Sequence, residues 1–375
     1  MAQIDRDAAH AAETPAAELS TAAAVQRLVV WLRRPIIATI GLYLFIIALE
    51  LIKDGARVYG GAIVALLDVT TTANALGFGW LLAYVFLSGS PVAAISIAFF
   101  SSGTIDALQT FTMITGSRLG ASFIVLFVGF IYHLRGYQRS SSVAIGVLAL
   151  LTTAAIYLPA LALGYIILTS ELVGALDVSA DAPLASFVDW LTAPALALIA
   201  QFPLPGWALL ILGVFTLIGA FSLLDRALPE IDPDQSRFQR IGRLIYRPMA
   251  MFILGMLVTS VTLSVSVSLS ILVPLSVRGL VRRENTLPYI MGANITTFID
   301  TLVAALITGG AAAFTIVLVE MVCVATLSLL ILLLCYRPFE RAVLRLQEFI
   351  IRDRRTLGGF MCVMLIVPIL LMLAP

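Results

Sequence analysis

The chain has 375 residues, 61% of them hydrophobic and only 12% charged, with a formal net charge of +1 and a mean hydropathy of +1.04. Soluble domains carry about 25% charged residues, and so few charges cannot cover a soluble surface with polar groups. A soluble fold is thereby excluded, as is a nucleic-acid partner, because no basic block stands apart from the apolar segments.

The composition implies an all-α polytopic protein of the lipid bilayer, and the segments follow in chain order. Residues 1–34 read as a cytoplasmic N-terminal tail, whose Ala-rich first 26 residues read as disordered or weakly helical, without the apolar stretch of a signal peptide. Residues 35–52 form the first candidate span, with Glu50 near its end. Further apolar stretches cover about 61–100, 107–132, 142–170, 192–224, 248–277, 286–308, 312–336 and 357–374. A bilayer core takes about 20 helical residues to cross, so several of these runs exceed one crossing without reaching two.

Arginine placement orients the chain. No Lys or Arg lies between Arg139 and Arg226, while Glu171, Asp177, Asp181 and Asp189 cluster midway. That pattern fits two spans joined by an outside acidic loop. The segment 337–355 carries six arginines and reads as cytoplasmic. It stays there if 248–277 enters the membrane and returns to the same face. The hydroxyl-rich centre of that run, Thr259–Ser270, is a poor uninterrupted helix and reads as a re-entrant hairpin. The basic stretches 235–247 and 337–355 read as amphipathic helices on the cytoplasmic face. Trp190, Trp207 and Tyr336 read as interfacial anchors.

An internal repeat emerges at an offset of 176 residues. It pairs Gly79 with Gly255, Gly103 with Gly279 and Gly116 with Gly292, and also Ser88 with Ser264, Ser90 with Ser266, Thr110 with Thr286 and Ile114 with Ile290. On the arginine topology the copies face opposite ways, a mark of secondary transporters whose sites lie where the repeats meet. The expected fold is therefore an inverted-topology repeat with two re-entrant hairpins and about 6–8 full spans. Its parts are a tail (1–34), a first transport repeat (35–135), linking spans (136–246), a second transport repeat (247–336) and an amphipathic segment with a final span (337–375).

The second copy reads Leu287-Pro-Tyr-Ile-Met-Gly-Ala-Asn-Ile-Thr-Thr297. It resembles the Pro-x-x-x-Gly-Ala-Asn-Ile-Gly-Thr-Thr signature of the sodium-dependent phosphate symporter family. Gly116-Ser-Arg-Leu-Gly-Ala-Ser122 is a degraded version of it, and the run Gly41 to Gly55 is similar to that family's first helix. The resemblance covers about 35–135 and 247–340. It implies sodium-coupled symport of phosphate or a related small anion across the cell membrane, with sodium as coupling ion and no further cofactor. The family's Gln-Ser-Ser-Ser hairpin motif falls on Leu87-Ser-Gly-Ser90 and Leu263-Ser-Val-Ser266. Both glutamines are thus leucine and both middle serines are replaced, and Thr296 stands where the family has Gly.

The candidate substrate residues are Ser88, Ser90, Arg118, Ser264, Ser266, Asn294, Thr296 and Thr297, with Ser266, Ser268 and Asp300 as candidate ion ligands. Ser and Thr also allow close helix packing in membranes, and both readings stay open. An intramembrane Arg such as Arg118 is a functional-site hypothesis by default; the other reading is an ion pair with Asp106 or Asp300. Asp106 and Gln109 read as a solvated connection, and Glu50 and Glu320 as interfacial. With two histidines, His10 and His133, and three unpaired cysteines, neither a zinc site nor an enzyme's nucleophile–base set is expected. A channel-like pathway and a non-transporting membrane partner are the rival functions; an oligomer is compatible with either.

Overall fold

The computed structural model of the protein describes residues 4–67, 69–134, 140–170, 182–202, 204–227, 247–263, 265, 268–269 and 283–374, with the backbone alone for 4–32 and a few other helical positions. Among these residues the chain is helical almost throughout, with no strand. Five helical stretches are long and apolar enough to cross a membrane: Arg33–Ala62, Val143–Thr169, Gly206–Ala227, Glu284–Leu334 and Arg354–Met372. The architecture is that of an all-α multi-pass membrane protein.

Helix α1 (Ile4–Leu67) is continuous, so the tail expected to be disordered or weakly helical is helical from Ile4. The Ala-rich composition of that stretch favours the outcome, because Ala is the strongest helix former. The long run 61–100 breaks into α2 (Thr72–Phe86) and α3 (Ser90–Ser101), followed by α4 (Ala107–Leu134) and α5 (Ser140–Thr169). The stretch 192–224, expected to be one span, is two helices, α6 (Ala182–Ala200) and α7 (Gly206–Ala227). Pro205 next to Gly206 supplies the physical reason, since proline starts a helix far better than it continues one.

The second half opens with α8 (Pro248–Thr262), which ends at Leu263. Most of the remaining hairpin expected over 248–277, including Ser264 and Ser266, lies outside the described residues, as do the acidic loop at 171–181 and nearly all of 235–247. Next come α9 (Arg283–Thr296), α10 (Phe298–Ala304) with a π-helical turn over Ala305–Gly309, and α11 (Gly310–Leu334). Gly310, at φ +63°, begins the last of these. Helix α12 (Tyr336–Arg352) buries Val343, Gln347 and Ile350, one face at helical spacing, and Gln347 Nε2 donates to the Ala144 carbonyl at 3.0 Å. Helix α13 (Arg354–Met372) closes the chain. It packs on α2, where buried Asn74 donates to the carbonyls of Leu371, Met372 and Ala374 and so caps the end of α13.

The 176-residue offset returns in the local geometry. Helices α2 and α8 each have 15 residues, start 176 residues apart and end on a leucine in the left-handed region, Leu87 at φ 52° and Leu263 at φ 50°. Among the described residues these two are the only non-glycines with positive φ. Each leucine N–H closes back on the carbonyl four residues earlier, Ala83 or Thr259.

Helix α2 lies on α4 as α8 lies on α9, and glycines set both crossings. A Cβ on Gly79 or Gly255 would lie 2.1 Å from the carbonyl oxygen of Met113 or Tyr289. A Cβ on Gly116 or Gly292 would lie 2.1 Å from that of Leu76 or Phe252. Both of these contacts in one half have their counterpart at the same offset in the other. The correspondence at this offset extends to these helix ends and crossings, although α4 is continuous where α9 and α10 are interrupted at Thr297.

Candidate functional site

A left-handed leucine is strained, by about 1–2 kcal/mol for an L-residue outside a turn built for it. Such strain is found where the surroundings demand the geometry. Here it stops α2 after Phe86 and lets the chain turn into α3 through Ser88 and Gly89. Gly89 is tied closely to α4: a Cβ there would lie 2.8 Å from the Ser117 carbonyl oxygen. That closeness accounts for glycine at the place of a serine in the resembled motif. It also sets Ser88 and Ser90 beside the next residue of α4, Arg118.

Arg118 is 4% exposed, about 16 Å along α4 from its start at 1.5 Å per residue. Its guanidinium lies 5.0 Å from the centre of the Phe298 ring. It donates to the hydroxyls of Thr301 and of Thr297 (3.3 Å), and meets Asp300 Oδ1 at 3.4 Å. Of the two partners expected for an ion pair, Asp300 is therefore the one found. Asp106 is an exposed N-cap that exchanges hydrogen bonds with Gln109. Gln109 itself is buried and donates to the carbonyls of Val69 and Thr70, which corrects its reading as solvated.

The Arg118–Asp300 pair is loosely made. A buried pair that serves structure alone is expected to be bidentate and fully hydrogen-bonded, since desolvating two charges is otherwise uncompensated. Here one oxygen faces one nitrogen at a long distance, and both Arg118 Nε and Asp300 Oδ2 are buried without a hydrogen-bond partner among the described residues.

Helix α5 closes the site from the other side, by residues the sequence reading missed. Tyr157 donates from its hydroxyl to the Asn294 carbonyl at 2.9 Å and stacks on Phe298 with ring centres 6.0 Å apart. Asn294 Nδ2 donates to the Thr153 hydroxyl at 3.0 Å. Glu320 corrects a second expectation. It is not interfacial but 1% exposed, about 15 Å into α11 at helical rise. One of its oxygens accepts from Thr115 at 2.7 Å, and the other is buried without a partner among the described residues. Glu50 is also buried, paired with Lys53 one turn on. Glu320 was findable: the apolar run begins close enough to Gly310 to put this residue near mid-depth. Nothing in the sequence pointed α5 towards the site.

Two cavities meet at the first helix break. A small one of about 20 Å³ is lined by Ser88, Ser90, Arg118, Tyr157, Asn294 and Thr297, with Val265 from beyond the second break. A larger one of about 580 Å³ runs between α1, α7 and both breaks, touching Asp225, Ser88, Ser90, Leu263 and Asp300. Ser88 and Ser90 line both.

The site thus gathers Ser88, Ser90, Arg118, Asn294, Thr297 and Asp300 from the expected set. Thr296 bonds back to the Gly292 carbonyl at 3.4 Å and lines neither cavity. Ser268 is engaged in a separate buried cluster with the hydroxyls of Thr259 (2.7 Å) and Tyr289 (2.8 Å). The chain matches no protein-family model, and neither a curated protein nor a solved structure matches it.

Proposed function

We propose that this protein is a secondary active transporter of the cell membrane that carries a small anion, phosphate or a related oxyanion, by sodium-coupled symport. The observation that carries the reading is the convergence of two helix breaks, 176 residues apart, on one buried arginine with a donor left unpartnered among the described residues. The inverted topology inferred from the arginines, with the N-terminus cytoplasmic, makes the two halves a re-entrant inverted repeat. Such repeats place their substrate midway through the bilayer, at half-helix ends. Arg118 supplies a fixed charge with forked donors suited to an oxyanion, and the start of α3 at Ser90 adds the positive end of a helix dipole. Asp300, released when an anion takes Arg118, becomes the carboxylate ligand for sodium, a hard cation that prefers oxygen.

The inner cavity, about 20 Å³, has room for about one water, which fits a closed state of this cycle. An anion enters by displacing Asp300 from Arg118. The test is uptake of radiolabelled phosphate into liposomes holding the purified protein under an inward sodium gradient. Sodium-dependent accumulation is expected, with sulfate, arsenate and carboxylates as competitors to define the anion. Conductance without coupled accumulation would identify a channel instead. No flux of any kind would identify a non-transporting partner.

A further inference from the structure

Helix α12 carries a basic stripe that the proposed transport cycle does not use. We infer that this stripe, together with the exposed apolar flank beside it, is a binding surface for anionic phospholipids of the leaflet on which the helix lies. The inference does not depend on what the protein carries.

Two hydrogen bonds fix where the helix lies. At its start the Tyr336 hydroxyl donates to the Glu284 carbonyl at 2.8 Å, and about three turns on Gln347 Nε2 donates to the Ala144 carbonyl at 3.0 Å. Glu284 and Ala144 stand at the beginnings of two different membrane-crossing stretches, Glu284–Leu334 and Val143–Thr169. Tyr336 and Gln347 are about 16 Å apart along the axis at helical rise. A helix that bridges the beginnings of two spans over that distance lies along one surface of the membrane. The end of α11 at Leu334 and the start of α13 at Arg354 flank α12, so both meet the same surface.

One face of α12 is spent on the protein, where Val343, Gln347 and Ile350 are buried. The flank beside it is not: Leu346 is 47% and Phe349 62% exposed. Phe349 stands four residues after Arg345 and three before Arg352, so both arginines are its neighbours on the helix surface. Arg341, one turn before Arg345, continues the stripe. All three arginines are exposed, and none forms an ion pair among the described residues. Glu348 is near enough in sequence to pair with Arg345 or Arg352, and pairs with neither. Arg341 and Arg345, like charges one turn apart, repel each other, which an anion between them would relieve. The segment 336–355 holds six arginines against three carboxylates, Glu340, Glu348 and Asp353, and so carries net positive charge along the membrane surface.

The chemistry of the occupant follows from this pairing of groups. Arginine forks match the oxygens of a phosphate, and exposed Leu and Phe beside them suit the acyl boundary of a leaflet. A phospholipid with a net negative headgroup supplies both. A zwitterionic lipid supplies the chains with an ammonium that the arginines repel. Each basic residue at an anionic surface contributes about five-fold in affinity.

The test titrates the full chain in a mild detergent with phosphatidylglycerol or with phosphatidylcholine and follows thermal unfolding. A ligand that binds the folded state raises the midpoint with its concentration, so phosphatidylglycerol is expected to raise it and phosphatidylcholine to leave it nearly unchanged. Combining Arg341→Gln, Arg345→Gln and Arg352→Gln should raise the half-maximal phosphatidylglycerol concentration by at least about tenfold. Arg57→Gln, at an exposed arginine already paired with Asp54, should leave it in place. Leu346→Ser with Phe349→Ser tests the apolar flank and should weaken the response as well. The substituted side chains on α12 are all exposed, so the variants keep the fold, and each is compared with its own midpoint without lipid. Equal rises with the two lipids, or a triple arginine variant that responds like the wild type, overturns the inference. So does an apolar variant that responds in full, because a phosphate group alone would then suffice.

Discussion

Arg118→Ala is expected to abolish phosphate accumulation and also to weaken the fold. Removing one partner of a buried charge pair leaves Asp300 uncompensated, at a cost of about 3–5 kcal/mol in stability. Losing a desolvated contact to an anion costs about 2–5 kcal/mol of affinity, which is roughly 30-fold to several thousand-fold. The two losses separate in the neutral pair Arg118→Gln with Asp300→Asn. That double variant removes both charges, so its thermal unfolding in detergent should return close to the wild-type midpoint while accumulation stays lost. If the pair served structure alone, transport would return with stability. Arg118→Lys should recover only part of the activity, because a point charge replaces a planar fork of donors.

Gly116→Val and Gly292→Val are expected to destabilise the protein, and to similar extents. In each, the new Cβ would have to sit 2.1 Å from a carbonyl oxygen of the packed helix, Leu76 or Phe252. The obstacle is backbone, so no side-chain rotation relieves it and the helices must part. Overpacking of this kind costs typically about 1–3 kcal/mol, occasionally more. Parting α2 from α4, or α8 from α9, also moves the left-handed leucine at the end of each helix away from the site. Gly61→Val, where nothing lies within 4 Å, is the control, expected to unfold near the wild-type midpoint. Thermal unfolding followed by size exclusion measures all three. A large loss at one glycine and none at its counterpart would argue against structural equivalence of the two halves.

Much of this was legible in the residues, for identifiable reasons. The glycine offset was visible because close helix crossing tolerates no side chain, so the packing wrote itself into the sequence at Gly79, Gly116, Gly255 and Gly292. Arg118 and Asp300 stood out because charge is scarce in an apolar chain. The break after Phe86 was harder to see. Leucine marks no turn, and only the shared φ of Leu87 and Leu263 shows that both helices stop there. The partners from α5 were invisible for another reason: Tyr157 and Thr153 are ordinary residues of a long apolar helix, and only packing turns them towards Asn294. Glu320 was misplaced although the apolar run 312–336 already held it well inside, as the boundaries of α11 do. The division of 192–224 into α6 and α7 was masked by continuous apolarity across Pro203 and Pro205.

The account stands or falls on one site being reached from the two sides of the membrane in turn. The direct measurement places a cysteine at Ser88, which lines both cavities, in a background where Cys323, Cys335 and Cys362 are replaced. A membrane-impermeant maleimide is then applied to either face of oriented vesicles. Labelling from both faces is expected, with phosphate and sodium together lowering it at one face while raising it at the other. Labelling confined to one face under every condition, or from both faces without any reciprocal response to phosphate and sodium, would contradict alternating access.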